Sequence, residues 1–289
     1  MFRFNLICLT VFAAMLSSCD KGEYNYKDLN CSKAQVCQTK NNKPVTGLVS
    51  AYYSDGNPER TVSYVKGLRE GVMTYYYESG TVRATVFYKN NLVDGAVKSY
   101  YENGTLAGDC TYKANKLDGI CKVYNEDGSI LAEEQFKNGL KEGESIGYDK
   151  GVAVLKSHFK NNILTGRSVY DENSVLQAEL FADDSGVFNR YQSYYPNGTL
   201  KIDAEMSGNK IAGKVTEYYD NGRIKSKYQI NNGSLLGEYV TYRKNGNISY
   251  TETYTAGEEL EGEKKVQAAI VKMKIRFMSD IIADILKAD

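Results

Sequence analysis

The chain has 289 residues, 36 Lys and Arg against 36 Asp and Glu, a single His, 25 Tyr and no Trp. Charges of both signs are mixed along its length, which excludes the basic stripe of a nucleic-acid binder, and the lone His158 has no ligand-spaced partner for a metal site. The length allows a sizeable core, and tyrosine at this frequency points to paved sheets.

The N-terminus, MFRFNLICLTVFAAMLSSC, sets Arg3 ahead of an apolar run from Leu6 to Met15. That run is about ten residues, against the roughly 20 needed to span a bilayer, so 1–18 reads as a secretion signal. Leu16-Ser17-Ser18-Cys19 resembles a bacterial lipobox. The resemblance implies that Cys19 carries acyl chains, becomes the mature N-terminus and anchors the protein to a membrane of the bacterial cell envelope. A plain secretory signal cleaved nearby is the alternative. Asp20 is similar to an inner-membrane retention signal of enterobacterial lipoproteins. Residues 19–29 are expected to be a tether and 30–46, NCSKAQVCQTKNNKPVT, a segment supplying an initial capping strand.

Beyond Cys8 and Cys19, the cysteines form two local pairs, Cys31 with Cys37 and Cys110 with Cys121. An exported chain meets oxidising conditions, so these are expected as disulfides, buried thiols being the alternative for the second pair. A four-Cys zinc site would need ligands converging from distant segments.

From Gly47 the chain repeats. Units begin at Gly47, Gly71, Gly95, Gly119, Gly143, Gly166, Asn189, Gly213 and Gly237, at spacings of 23 or 24 residues, and Gly262 closes the last. A steady period means a repeat architecture. Each unit reads as a Tyr-rich strand, a tight Asx-Gly turn, a return strand and a looser loop back to glycine. Tyr52, Tyr76, Tyr100, Tyr124, Tyr148, Tyr194, Tyr218 and Tyr242 hold one position, and Tyr170 comes one place early in the sixth unit. They are expected to stack as a packing ladder with Val82, Leu106, Ile130, Leu200, Ile224 and Ile248; a ligand-facing row is the alternative. The turns allow two readings. A two-residue loop sets Cys110 opposite Cys121, and a three-residue loop with a glycine bulge puts Tyr100 with Leu106.

The unit G-x-x-x-x-Y-Y-x-N-G-x-L over about 47–262 resembles the variant MORN repeat of bacterial proteins, some of them labelled antitoxin-like. Met73, Val97 and Val215 stand where that family often has Trp, and the units around Gly151 and Ser174 are degenerate. The resemblance implies scaffolding or interaction and carries no catalytic residue. The expected fold is all-β, an elongated antiparallel meander of about nine two-stranded MORN-like repeats over 47–261. Over 262–289 the period changes: Val266, Ile270, Met273, Phe277, Ile281 and Ile285 recur at three to four, an amphipathic helix expected to cap the last hairpin. A partner-binding or membrane-surface role, suggested by Lys264, Lys265, Lys272, Lys274 and Arg276, is the alternative.

Chemistry is sparse. Glu133-Glu134, Asp183-Asp184 and Glu258-Glu259 read as solvated charge, and Ser157 and His158, adjacent on a strand, point to opposite faces. No Gly-rich phosphate loop is present. The expectation is a non-enzymatic, membrane-anchored lipoprotein with no cofactor or metal, acting as a scaffold for an unidentified protein partner. An immunity protein neutralising a toxin and a glycan-binding envelope protein are the alternatives.

Overall fold

A computed structural model describes residues 22–31, 36–257 and 261–287. The expected signal segment 1–18, Cys19 and Glu258-Glu259 lie outside the described residues. The chain forms two compact units, one from residues up to Ala96 with Glu102–Gly104, the other from Val97–Tyr101 and Thr105 onward.

The first unit holds β1 (Gly22–Asn25), a 3-10 turn (Tyr26–Asp28), β2 (Leu29–Asn30), β3 (Gln38–Thr39), β4 (Gly47–Tyr52), β5 (Pro58–Val65), β6 (Leu68–Tyr76) and β7 (Val82–Lys89). β4 to β7 form an antiparallel meander. The expected tether is structured from Gly22: β1 pairs parallel with β4, from Gly22 opposite Gly47 to Asn25 opposite Ser50. An edge strand with open N–H and C=O groups recruits a partner, and β1 supplies it. The approach requires glycine at 47, because a Cβ there would lie 1.9 Å from the Gly22 carbonyl oxygen. The capping strand is therefore β1 and not 30–46. That later segment pairs its short β3 with β2 and binds the Lys66-Gly67 turn, Cys37 N–H donating to the Gly67 carbonyl and Gly67 N–H to the Val45 carbonyl. Cys37 and Val45 thereby cover Val49, Val62, Tyr64, Met73 and Tyr88, the unit's core.

β8 (Leu92–Tyr100) leads to the second unit, which contains β9 (Leu106–Lys113), β10 (Lys116–Tyr124), β11 (Ile130–Lys137), β12 (Leu140–Asp149), β13 (Val152–Lys160), β14 (Ile163–Tyr170), β15 (Leu176–Ala182), β16 (Phe188–Tyr194), β17 (Leu200–Ser207), β18 (Lys210–Tyr218), β19 (Ile224–Asn231), β20 (Ser234–Leu235), β21 (Gly237–Tyr242), β22 (Ile248–Tyr254) and the helix α1 (Gly262–Lys287). From β9 to β19 each strand pairs antiparallel with the next. β19 then pairs with both β20 and β21, and β21 with β22.

Two turn chemistries alternate. At the Asx-Gly end the loop has three residues: Gly56, Gly80, Gly128, Gly198, Gly222 and Gly246 sit at φ between 80° and 94°, each donating its N–H to the carbonyl three residues back. Tyr124 consequently meets Ile130 and Tyr194 meets Leu200, the three-residue register. At the other end the loop is tighter than expected. Ala114-Asn115, with φ of 47° and 67°, is a two-residue turn of the twist-matched kind, as are Asn138-Gly139 and Asn161-Asn162. This second turn sets Cys121 opposite Cys110, so the two registers that looked like alternatives coexist.

A bulge marks the unit glycines Gly71, Gly119, Gly143 and Gly213. Between the pairs Glu134–Ser145 and Phe136–Lys141, three residues around Gly143 face one on the partner strand. The sixth and seventh units depart: His158 pairs with Gly166 and Phe159 with Leu164, leaving Thr165 alone in the bulge, and Phe181 pairs with Arg190 and Ala182 with Phe188, leaving Asn189 alone. Arg167 thereby takes the inward place that the second residue after the glycine takes elsewhere, and Tyr170 meets Leu176. The early Tyr170 is thus in structural register.

α1 does more than cap a hairpin. It packs Val271, Ile275, Met278, Ile282 and Ile285 onto Leu180, Tyr191, Val215, Tyr228, Ile230 and Tyr254, covering one face of the sheet from β15 to β22. The side expected to face the sheet mostly faces out: Met273 is 69% and Phe277 67% exposed, and Val266 and Ile270 are exposed as well. The apolar row through Val266, Ile270, Met273 and Phe277 runs into Asp280 and Asp284, so burying it would bury two carboxylates. The buried row continues without charge to the helix end, and it prevails. Polar contacts fix both ends. The Tyr254 hydroxyl donates to the Lys264 carbonyl at 3.2 Å, and the buried Arg167 donates from Nη1 to the Ile285 carbonyl at 2.8 Å and from Nε to Ser157 Oγ at 3.0 Å. Between them Lys274 Nζ donates to the buried Glu217 at 2.8 Å, which also accepts from the Tyr228 hydroxyl at 3.0 Å. Among the described residues no helix is long and apolar enough to cross a membrane.

Candidate functional site

The expected tyrosine ladder is not a packed core. Tyr52 is exposed and Tyr76, Tyr100, Tyr124, Tyr148, Tyr194, Tyr218 and Tyr242 are half-buried. Their backbone matters more than their rings. The next residue, a second tyrosine in several units, reaches across one period: Tyr53 Oη donates to the Tyr76 carbonyl at 2.6 Å, Tyr101 to Tyr124 at 2.7 Å, Tyr195 to Tyr218 at 2.8 Å and Tyr219 to Tyr242 at 2.7 Å. The repeated YY dipeptide was the available signal. A second tie uses the acid before the unit glycine, which accepts from the following tight turn: Glu70 from Asn90 N–H at 2.9 Å, Asp118 from Asn138 at 3.1 Å and Glu142 from Asn161 at 2.7 Å. Of the half-buried tyrosines, Tyr194 has its ionisation pushed well up, by burial first and then by its hydrogen bond to Glu179.

Both expected disulfides are present, Cys31–Cys37 and Cys110–Cys121. Ser157 and His158 do point apart, Ser157 buried against Arg167 and His158 exposed near Glu144. The carboxylate pairs are accounted for locally. Glu133 binds Lys122 and Glu134 binds Lys141, while Asp183 caps its own turn, its carboxyl held below the usual range by the Ser185 hydroxyl and neighbouring amides. Among the described residues no group of three or more His, Cys, Asp and Glu is placed to hold a metal ion.

Reading the sequence missed the concentration of arginines and tyrosines in the first unit. β5 presents Arg60, Val62 and Tyr64, β6 presents Arg69, Met73 and Tyr75, and the 3-10 turn adds Tyr26. With Cys31, Val49, Ala51 and Asn91 they line a cavity of about 220 Å³. The Arg60 guanidinium lies 4.6 Å from the Tyr26 ring centroid and that of Arg69 4.2 Å from Tyr88. Burial pushes the Tyr64 and Tyr75 phenols up, against the opposing pull of Arg60 and Arg69, so both stay protonated at neutral pH.

The hairpins with their YY dipeptides, Asx-Gly turns and acid-glycine ties are in part similar to a known repeat family. Five segments match the MORN repeat variant: residues 69–90, 93–114, 117–138, 189–206 and 212–232. Each match begins just after a two-residue turn or at a unit's first strand and takes in the following hairpin. Between the third and fourth lies the stretch where the MORN register changes, with a two-residue turn at Lys150-Gly151 in place of the three-residue loop and the shortened bulge at Thr165. No curated protein matches the chain.

Proposed function

We propose that this is a non-enzymatic, membrane-anchored lipoprotein whose MORN-repeat sheet is a scaffold for another protein. The observation that carries the reading is the division of roles within each repeat. Turn glycines recur because they close each hairpin's own turn, and YY dipeptides and acid-glycine ties because they hydrogen-bond to the next hairpin. Outside the sixth unit, where Arg167 is buried, the residue just after each unit's first position faces solvent and changes: Leu48, Val72, Ala96 and Ile120, then Glu144, Arg190, Lys214 and Glu238. Val72 stands opposite Phe87, and both are exposed. Within each unit, a fixed frame with a varied outward row suits recognition of a partner's surface. Membrane anchoring rests on the lipobox resemblance at Cys19.

The test places a photo-crosslinking residue at Val72 or Ile120 in cells. The expected result is one partner captured in stoichiometric amount from those sites and not from the buried Val49. Equal, diffuse capture from all three would overturn the reading. Cys19→Ala is expected to move the protein from the membrane to the soluble fraction, and retention in the membrane would remove the anchor.

A further inference from the structure

The structure assigns a second role to the first unit: we infer that the cavity between Arg60, Arg69, Tyr26, Tyr64 and Tyr75 binds a small molecule carrying a carboxylate on a ring. The charge comes first. Two guanidiniums line the cavity, and none of its described lining residues is a carboxylate. Each arginine is held by a neighbouring side chain, Arg69 by Asn91, itself part of the lining, and Arg60 by Glu59. Arg69 donates from Nε to Asn91 Oδ1 at 3.2 Å and from Nη2 to the Asn91 carbonyl at 3.4 Å, and Arg60 donates from Nη1 to Glu59 at 3.3 Å. A guanidinium carries five N–H donors, so these contacts orient each fork without exhausting it. Stacking on Tyr26 and Tyr88 fixes the planes. An oriented pair of forks is the arrangement that takes a carboxylate through paired, charge-assisted hydrogen bonds.

The walls and the volume decide what the carboxylate is attached to. Tyr26, Tyr64 and Tyr75 give ring faces and neutral phenol donors, and Met73 and Val62 give apolar contact. A space of about 220 Å³ corresponds to about seven waters at ~30 Å³ each, room for one ring with its carboxyl group. A bare tetrahedral anion would satisfy the arginines and leave the tyrosine walls without a partner. A cation meets the guanidinium of Arg69 and that of Arg60, the latter already paired with Glu59 at 3.3 Å. The shared chemistry, a ring-borne carboxylate, has two natural sources, an aromatic acid or a uronic sugar.

Calorimetric titration of the protein distinguishes them, with benzoate, glucuronate, benzamide, glucose and inorganic phosphate as probes. One-to-one binding of benzoate supports the aromatic source and of glucuronate the sugar source. The matching neutral probe is expected to bind about tenfold more weakly or worse, the value of a charge-assisted contact. Arg60→Gln and Arg69→Gln are each expected to weaken the carboxylate by a similar factor, with Arg60→Lys recovering part of it. Because the neutral probes need no substitution, the comparison stands even if a variant folds poorly. The inference is overturned if no carboxylate binds, if the neutral analogue binds equally well, or if inorganic phosphate binds as tightly as either carboxylate.

Discussion

The orientation of α1 can be tested by two substitutions five residues apart, on different faces of the helix. Ile282 is fully buried against the sheet, whereas Phe277 is 67% exposed. Ile282→Ala removes three carbons, worth about 2.4 kcal/mol of transfer at ~0.8 kcal/mol each, and the cavity left under a helix pinned by Arg167 and Glu217 adds about 1 kcal/mol more. The expected cost is thus about 3–4 kcal/mol. Phe277→Ala removes the larger side chain, yet from water-facing surface, and is expected to change stability by no more than about 0.5 kcal/mol. Urea unfolding followed by far-ultraviolet circular dichroism measures both, with the slope checked for constancy so that midpoints compare directly. A Phe277→Ala cost equal to or above that of Ile282→Ala would refute the placement of the helix and restore the face expected from the simple count of apolar residues.

Three further outcomes follow from the same geometry. Burial, with Glu217 adding to it, pushes Tyr239 up to about 12, and burial likewise raises Tyr191, Tyr228 and Tyr254, so the fold favours the neutral phenols. Their stabilisation is complete below the unfolded value of about 10 and lost above it, at about 1.4 kcal/mol per pH unit for each tyrosine, until the folded phenol itself ionises. Unfolding midpoints that fall no faster between pH 10 and 12 than those of the unfolded-like baseline, with every phenol titrating near 10 in the folded protein, would contradict this. Tyr219→Phe deletes the donor to the Tyr242 carbonyl and is expected to cost about 1 kcal/mol by chemical denaturation, with no loss of strand content. Replacing Cys110 and Cys121 together with Ser opens a link across 11 residues and is expected to cost about 2–3 kcal/mol, and reductant should then have no further effect on that hairpin.

What could be read from the residues alone was whatever depends on a few neighbours. Asx-Gly demands positive φ wherever it falls, so the tips at that end of the repeat were visible, while the two-residue turns at the other end, some without glycine, were not; cysteines close in sequence were visible as pairs. The helix was visible as a change of period. Its face was not, because two apolar rows compete on it, and Asp280 and Asp284 decide between them only once there is a sheet to exclude them from. The YY ties were hidden for a related reason. A tyrosine that gives its hydroxyl to a carbonyl 23 residues away looks, in one unit, the same as a tyrosine that packs. The Arg60 and Arg69 cavity draws on β5, β6 and a turn well before them, and no spacing announces that meeting.

The bulge at unit glycines such as Gly143 has a consequence for how this protein can change length. Within a strand such as β17, one inserted residue would turn Ala204 and Met206 from the helix toward water, a fault that runs to the strand's end. At the bulge an odd residue can be gained or lost and the strands beyond it still face the right way, as the sixth unit demonstrates: it is one residue short at Thr165, and Tyr191 is inward again on β16. Single-residue insertions and deletions should therefore be tolerated at Gly71, Gly119, Gly143 and Gly213 and rejected within the paired strands between them, while gain or loss of a whole 24-residue unit leaves every remaining side chain on its own face.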